Sequence, residues 1–254
     1  MTGIISYNVN GIRSAVSKGI TQWLKEKDPQ IVCFQELKAH KEQIPVSLFE
    51  NLGYHCYWFP AVKKGYSGVA ILSKIKPKHV EYGSGIDQSD YEGRVIRADF
   101  QDYSIMSVYI PSGSSGDERQ DYKMQWLGEF TDYIKKVKAD HPKLIISGDY
   151  NICHKPIDIH DPVSNKKSSG FLPEEREWLT EFIDTGFVDS FRQFNAAPHQ
   201  YSWWTFRANA RANNKGWRID YHLATQEMAA DLVHAEILPQ VVHSDHCPVG
   251  LSIK

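Results

Sequence analysis

Leu144-Ile145-Ile146-Ser147-Gly148-Asp149-Tyr150-Asn151 is the stretch from which the rest of the chain can be ordered. Its β-branched opening predicts a buried strand, and its end delivers two oxygen-bearing side chains, Asp149 and Asn151, two residues apart. Positions i and i+2 of an extended segment face the same way, so both are expected on one side. Other strand-like runs end alike. Met1–Tyr7 leads into Asn8-Val9-Asn10-Gly11, Ile31-Val32-Cys33-Phe34 into Gln35-Glu36, and Ser244-Asp245-His246 precedes the run Val249–Ile253.

Taken singly, each end has an ordinary explanation. Asn and Asp after a strand are turn formers, Glu36 suits a helix start, and Ser244-Asp245-His246 suits a cap on the last strand. Gathered at one edge, Asn8, Asn10, Glu36, Asp149, Asn151, Asp245 and His246 would form a cluster of oxygen ligands with one imidazole and no thiolate. That donor set suits a hard ion such as Mg²⁺ or Mn²⁺. An imidazole beside it exchanges protons near neutral pH or stabilises a charged phosphate. Together they describe metal-assisted hydrolysis of a phosphate ester.

Further strand-like runs are Val69–Leu72, Tyr103–Tyr109 and Asp220–Leu223. Helical period appears around Trp23 and Leu24 after Gly19, and around Trp178, Leu179, Phe182 and Ile183 after Pro173. The longest stripe runs through Tyr122, Trp126, Phe130, Tyr133, Ile134 and Val137, with Asp117 expected as its cap. Segments 83–93, 111–118, 160–170 and 207–216 read as surface loops. Strands outnumber helices and no linker or repeat divides the chain. We therefore expect one domain over residues 1–254: an α/β, four-layer sandwich of two packed, mostly antiparallel β-sheets flanked by helices.

Composition excludes whole classes. The 254 residues carry 29 Lys plus Arg against 31 Asp plus Glu, a net charge of −2, so bulk positive charge cannot carry nucleic-acid binding. Any phosphate-bearing partner must be met by local cationic clusters. No run approaches the roughly 18 apolar residues of a membrane helix. The N-terminus lacks the pattern of a secretory signal, and the four scattered cysteines read as reduced thiols. A cytoplasmic protein, monomeric and away from membranes, is expected.

In order along the whole chain, eight motifs resemble the exonuclease III / apurinic-apyrimidinic endonuclease family of the deoxyribonuclease-I-like endonuclease/exonuclease/phosphatase superfamily. They are Tyr7–Arg13, Phe34–Lys38, Gly65–Ala70, Tyr109–Pro111, Gly148–Asp158, Ser169–Arg176, Gly216–Tyr221 and Ser244–Pro248. The resemblance implies Glu36 as the principal metal carboxylate with Asn8, Asn10 and Asp245 close by, and Asp149 as the group that orients or deprotonates the attacking water. Asn151 would hold the scissile phosphate. His246 would pair with Asp220 and donate to a phosphate oxygen, and Tyr109 would lie on the phosphate or near the leaving 3′ oxygen. The implied activity is Mg²⁺-dependent cleavage of duplex DNA 5′ of abasic sites, with trimming of blocked 3′ ends. The alternative is a phosphoesterase of the same superfamily acting on RNA, phospholipid or inositol phosphate. Asn10 departs from the Asp of animal members, Ser112 from the Asn or Gln of many relatives, and the basic N-terminal extension of vertebrate members is expected to be missing.

Basic residues in loops, namely Lys63, Lys64, Arg94, Lys166, Lys167, Arg207, Arg211, Lys215 and Arg218, are candidate phosphate contacts, as is Ser112. The run Tyr201–Arg207, followed by Gly216-Trp217-Arg218, interleaves aromatics with cations as lesion readers do. By resemblance, Trp203 and Trp217 would wall a pocket for a sugar lacking its base, whereas Trp204 reads as core. Asp158 and Asp161 are expected to stabilise their loop.

Overall fold

The computed structural model describes residues 1–254. One six-stranded sheet is built from both ends of the chain: β1 (Thr2–Asn8), β2 (Ile31–Gln35), β3 (His55–Phe59), β4 (Val69–Ser73), β11 (Leu232–Ile237) and β12 (Val249–Ile253), in the order β11-β12-β1-β2-β4-β3. The middle of the chain supplies the other: β5 (His79–Tyr82), β6 (Val95–Asp99), β7 (Ser104–Tyr109), β8 (Leu144–Asp149), β9 (Phe187–Asp189) and β10 (Asp220–Thr225), in the order β5-β6-β7-β8-β10-β9. Pairing is antiparallel except at the two centres, where β1 with β2 and β7 with β8 run parallel. The expected two-sheet sandwich is thus present, with one parallel pair in each sheet.

Helices cover the outer faces. α1 (Ile12–Ser17), α2 (Ile20–Lys27) and α3 (Val46–Glu50) cover the first sheet. α4 (Asp87–Tyr91), α5 (Asp117–Asp140), α6 (Pro173–Asp184) and α7 (Ser190–Phe194) follow in the rest of the chain, and α5 and α6 cover the second sheet. No helix is long and apolar enough to cross a membrane. Gly116, at φ 115°, precedes α5, so Asp117 is its first helical residue instead of its cap. There it places a negative charge at the positive end of the helix dipole. Five strands, β3, β5, β6, β9 and β11, lacked a readable signal. Four are edge strands, β3, β5 and β11 half-exposed and β9 only three residues long, and β6 is buried but carries Arg97 and Asp99, paired at 2.9 Å.

Strand alternation sorts the residues into layers. Ile4, Ile31, Cys33, Ile105, Ile145 and Ala224 face between the sheets, while Ile5, Val32, Phe34, Met106, Ile146 and Leu223 face the helices. Followed toward one pole, the inter-sheet rows turn polar: Ile4-Ser6-Asn8, Cys33-Gln35, Ile105-Ser107-Tyr109, Ile145-Ser147-Asp149 and, on the antiparallel β10, Ala224-His222-Asp220. A buried polar seam results. Gln35 Nε2 donates across the sandwich to Ser107 Oγ at 3.0 Å, and Ser107 Oγ to Phe34 O at 3.1 Å. His222 joins Ser147 Oγ (2.7 Å) to the carbonyl of Val249 on the facing sheet (3.0 Å). This seam holds the halves of the site in register.

Candidate active site

All four polar strand ends meet at that pole. Asn8, fully buried on the first sheet, donates from Nδ2 to Glu36 Oε1 and across the sandwich to Asp149 Oδ2, both at 2.8 Å. Its own Oδ1 accepts from the backbone N–H of Asn10 at 3.0 Å. Asp149 and Asn151 do come together, but by a turn and not through extended geometry. Asn151 sits at φ 51°, its N–H donating to Asp149 Oδ1 at 2.8 Å and its side-chain amide to Ile110 O at 2.9 Å. Asn10 and Glu36 also adopt positive φ, 45° and 52°. Three non-glycine residues in a disfavoured region at three converging strand ends are held there by the surrounding bonds.

His246 is fixed from behind. Its Nδ1 lies 2.9 Å from Asp220 Oδ2, which also accepts from Ser202 Oγ at 2.6 Å, and its Nε2 faces Asp149 Oδ2 at 3.8 Å. Burial opposes a charge on the ring, but Asp220, Asp149 and Asp245 outweigh it and hold His246 well above the usual histidine range. A ring so charged can donate from Nε2. Burial raises the Asp149 carboxyl, with His246 pulling the other way. Burial likewise opposes the charge of Asp245, and His246, Asn10 and Trp203 keep it ionised. The Tyr109 phenol is pushed far up by burial and by Glu36 and Asp149, so it remains a donor.

Lys38, which the strand-end pattern does not single out, joins the cluster. Its Nζ lies 2.6 Å from Glu36 Oε2 and 2.5 Å from Asn10 Oδ1. The signal was its offset of two from Glu36, reached here through another positive φ, 49°. Asn10 Nδ2 completes the flank by donating to Asp245 Oδ1 at 2.9 Å.

Ligand atoms of Glu36, Asp149 and His246 lie within 4.8 Å of one another. Around them, the four carboxylates Glu36, Asp149, Asp220 and Asp245 face the two cations Lys38 and His246, which leaves two negative charges. Oxygen donors with that surplus fit a hard divalent ion.

Beside this cluster opens a cavity of about 400 Å³, lined among others by Tyr109, Ser112, Asn151, Gly170, Trp203 and Trp217. The two indoles meet edge to face, 5.7 Å apart at 80°, on segments paired through their backbones. Trp203 Nε1 donates to Asp245 Oδ2 at 3.1 Å, tying the cavity wall to the carboxylate cluster. Gly170, at φ 92°, closes the floor, where a Cβ would come within 2.9 Å of Trp217. Trp204 is buried as expected.

The cationic candidates divide. Lys63, Lys64, Lys166, Lys167, Arg207 and Lys215 are exposed, and Ser112 is half-buried with its hydroxyl on Ser114 at 2.9 Å. Arg94, Arg211 and Arg218 turn their guanidinium groups to partners inside the protein, which argues against the expected phosphate contacts. Arg94 is buried against Glu92 (2.5 Å) and Tyr109 O (2.7 Å) and lies 4.9 Å from the Tyr109 ring. Arg211 donates to the carbonyls of Ser244, Pro239 and Val241. Arg218 is buried between Asp158 (2.7 Å) and Asp189 (2.6 Å), which leaves Asp220 free for His246. Asp158 stabilises its loop as expected.

Residues 5–246 match the Endonuclease/Exonuclease/phosphatase family. The chain is 43% identical to an exodeoxyribonuclease of Bacillus subtilis (strain 168), over 98% of each protein. It is 40% identical to the DNA repair nuclease APEX1 of Danio rerio, over 98% of this chain and 81% of that one. An AP endonuclease from Archaeoglobus fulgidus has the same fold, with a TM-score of 0.92 and 32% identity over the whole of both chains. A 3′-5′ exonuclease from Neisseria meningitidis gives 0.93 and 29%, again over both chains. Matched from its first strand to His246, this chain belongs to the Endonuclease/Exonuclease/phosphatase family.

Proposed function

We propose that this chain is a metal-dependent DNA-repair nuclease that cuts duplex DNA 5′ of abasic sites and trims blocked 3′ ends. The carrying observation is the cavity walled by Trp203 and Trp217 immediately beside the Glu36–Asp149–His246 cluster. It is large enough for a base-free sugar, and the two indoles give it flat walls among the polar side chains that line the rest. A normal nucleotide would have to pay unstacking energy to enter, which a site lacking its base does not.

In this reading, buried Asp149 takes a proton from the attacking water. The bond from phosphorus to the 3′ oxygen breaks on the opposite side. His246, aimed by Asp220, donates from Nε2 to a phosphate oxygen as negative charge builds there. Asn151, held by Ile110 O, lies against the phosphate, and the protonated Tyr109 phenol faces the phosphate or the departing 3′ oxygen. Glu36 and Asp149, with Asn8 beside them, would hold a Mg²⁺ or Mn²⁺ ion that offsets charge on the phosphate and the leaving oxygen. Exposed Lys63, Lys64 and Arg207 grip the flanking backbone. The enzyme works as a cytoplasmic monomer over residues 1–254.

The test is a duplex carrying one abasic site, incubated with Mg²⁺, with Mn²⁺ and with excess chelator. Cleavage with either metal, 5′ of the lesion and leaving a 3′-hydroxyl, is the expected result. Full cleavage in chelator would remove the metal, and equal cutting of intact duplex would remove lesion selection. Turnover of RNA, phospholipid or inositol phosphate in place of DNA would move the activity elsewhere in the superfamily.

A further inference from the structure

The longest helix carries a charge where its period calls for an apolar side chain. On α5, Lys123 falls in line with Leu127, Phe130, Ile134 and Val137, and it is fully buried. Its ammonium lies 2.6 Å from Glu175 Oε1, at an equally dry position in the first turn of α6, and donates to the backbone carbonyl of Asn151 at 2.8 Å. The other oxygen of Glu175 accepts from the N–H groups of Gly170 (2.6 Å) and Leu172 (3.0 Å). Gln120 Nε2 completes the arrangement on Oε1 at 3.1 Å. Neither Lys123 nor Glu175 takes part in the reaction described above.

Stability is a poor reason for such a pair, because two desolvated charges are commonly no better than a well-packed apolar pair. Direction is a better one. Asn151 occupies a positive-φ conformation, its N–H on Asp149 and its carbonyl on Lys123, so rotation toward an ordinary conformation would release both ends. Gly170 lies between them, its missing Cβ 3.0 Å from Asn151 O and 2.9 Å from Trp217. The Glu175 carboxylate pins this glycine by its N–H. One buried ion pair therefore holds both the residue at the phosphate and the floor under the indole wall.

We propose that Lys123 and Glu175 are positioning residues that couple the phosphate end of the site, at Asn151 and Asp149, to the sugar cavity, at Gly170 and Trp217. The proposal rests on the reading of that cavity as the seat of an abasic sugar. Neither residue touches substrate. Both act through the backbone they hold.

The decisive protein is the double variant Lys123→Met/Glu175→Gln, which buries no net charge, assayed beside Glu175→Gln. Lys123→Met alone strands a buried carboxylate and is expected to fold poorly. The double variant should melt close to the wild type with KM on abasic duplex little changed. Its kcat should fall by about a hundredfold, the loss expected when a reacting group shifts by about 1 Å. Its preference for abasic over intact duplex should shrink in parallel. Wild-type kcat and preference in the double variant would overturn the proposal, and so would failure to fold, because the charges would then serve stability. Wild-type protein without any abasic preference would instead defeat the reading of the cavity. In that case a slower double variant on duplex 3′ ends would still support the link to Asn151.

Discussion

Acid should loosen this protein through one histidine in particular. His222 lies between the sheets, with Nε2 on the carbonyl of Val249 and Nδ1 on the Ser147 hydroxyl. A carbonyl only accepts, so Nε2 carries the proton and Nδ1 takes the hydroxyl hydrogen, which leaves a neutral ring fully satisfied. Burial pushes its pKa from 6.5 down to about 4. The unfolded chain therefore takes up this proton first as the pH falls. Stability from His222 is complete above 6.5, declines below it and is gone under about 4. The difference between those two values is worth roughly 3 kcal/mol in total and about 2 kcal/mol by pH 5. Urea midpoints from pH 8 to 4.5 for the wild type and for His222→Gln measure it, since glutamine can serve both partners but does not titrate. The remaining 10 of the 11 histidines are common to both proteins, so the difference between the curves isolates this one. Parallel curves would refute the assignment.

Asp149→Asn and His246→Ala should each lower turnover by at least about a hundredfold while binding to abasic duplex in gel shifts survives; near wild-type turnover in either would cancel its role. Trp217→Ala should erode the abasic-over-intact rate ratio more than it slows 3′ trimming, whereas an unchanged ratio with a large melting drop would make Trp217 a packing residue only. Arg207→Ala should reduce the salt dependence of DNA binding by about one unit of slope. Arg211→Ala should instead lose about 1–3 kcal/mol of stability by stranding buried carbonyls, with a salt slope like the wild type. Exchange of those two outcomes would reverse the division of the arginines.

The sandwich and the main cluster were legible because they depend on local pattern: alternating apolar runs, each ending in an oxygen-bearing side chain. The arginines were not. Nothing in the residue type tells whether Arg218 will face DNA or find Asp158, 60 positions earlier, and Asp189, 29 positions earlier. Strand alternation does not account for Asn151, since a turn and not the strand swings it beside Asp149. The half-exposed edges β3, β5 and β11 show too little alternation to read. The seam of Ser6, Gln35, Ser107, Ser147 and His222 was readable in principle. Each is a polar residue at an inward position of an apolar strand, a pattern that needs strand phase before it has meaning.

The strand order also bears on how the molecule is made. The first sheet needs β12, made long after β1, between β11 and β1. Asp245 and His246 immediately precede that strand, and their partners Asn10 and Asp149 are synthesised much earlier. A chain still being translated, or one terminated early, has neither a closed first sheet nor the imidazolium. A nuclease assembled this way has an incomplete cluster until that late stretch has been made.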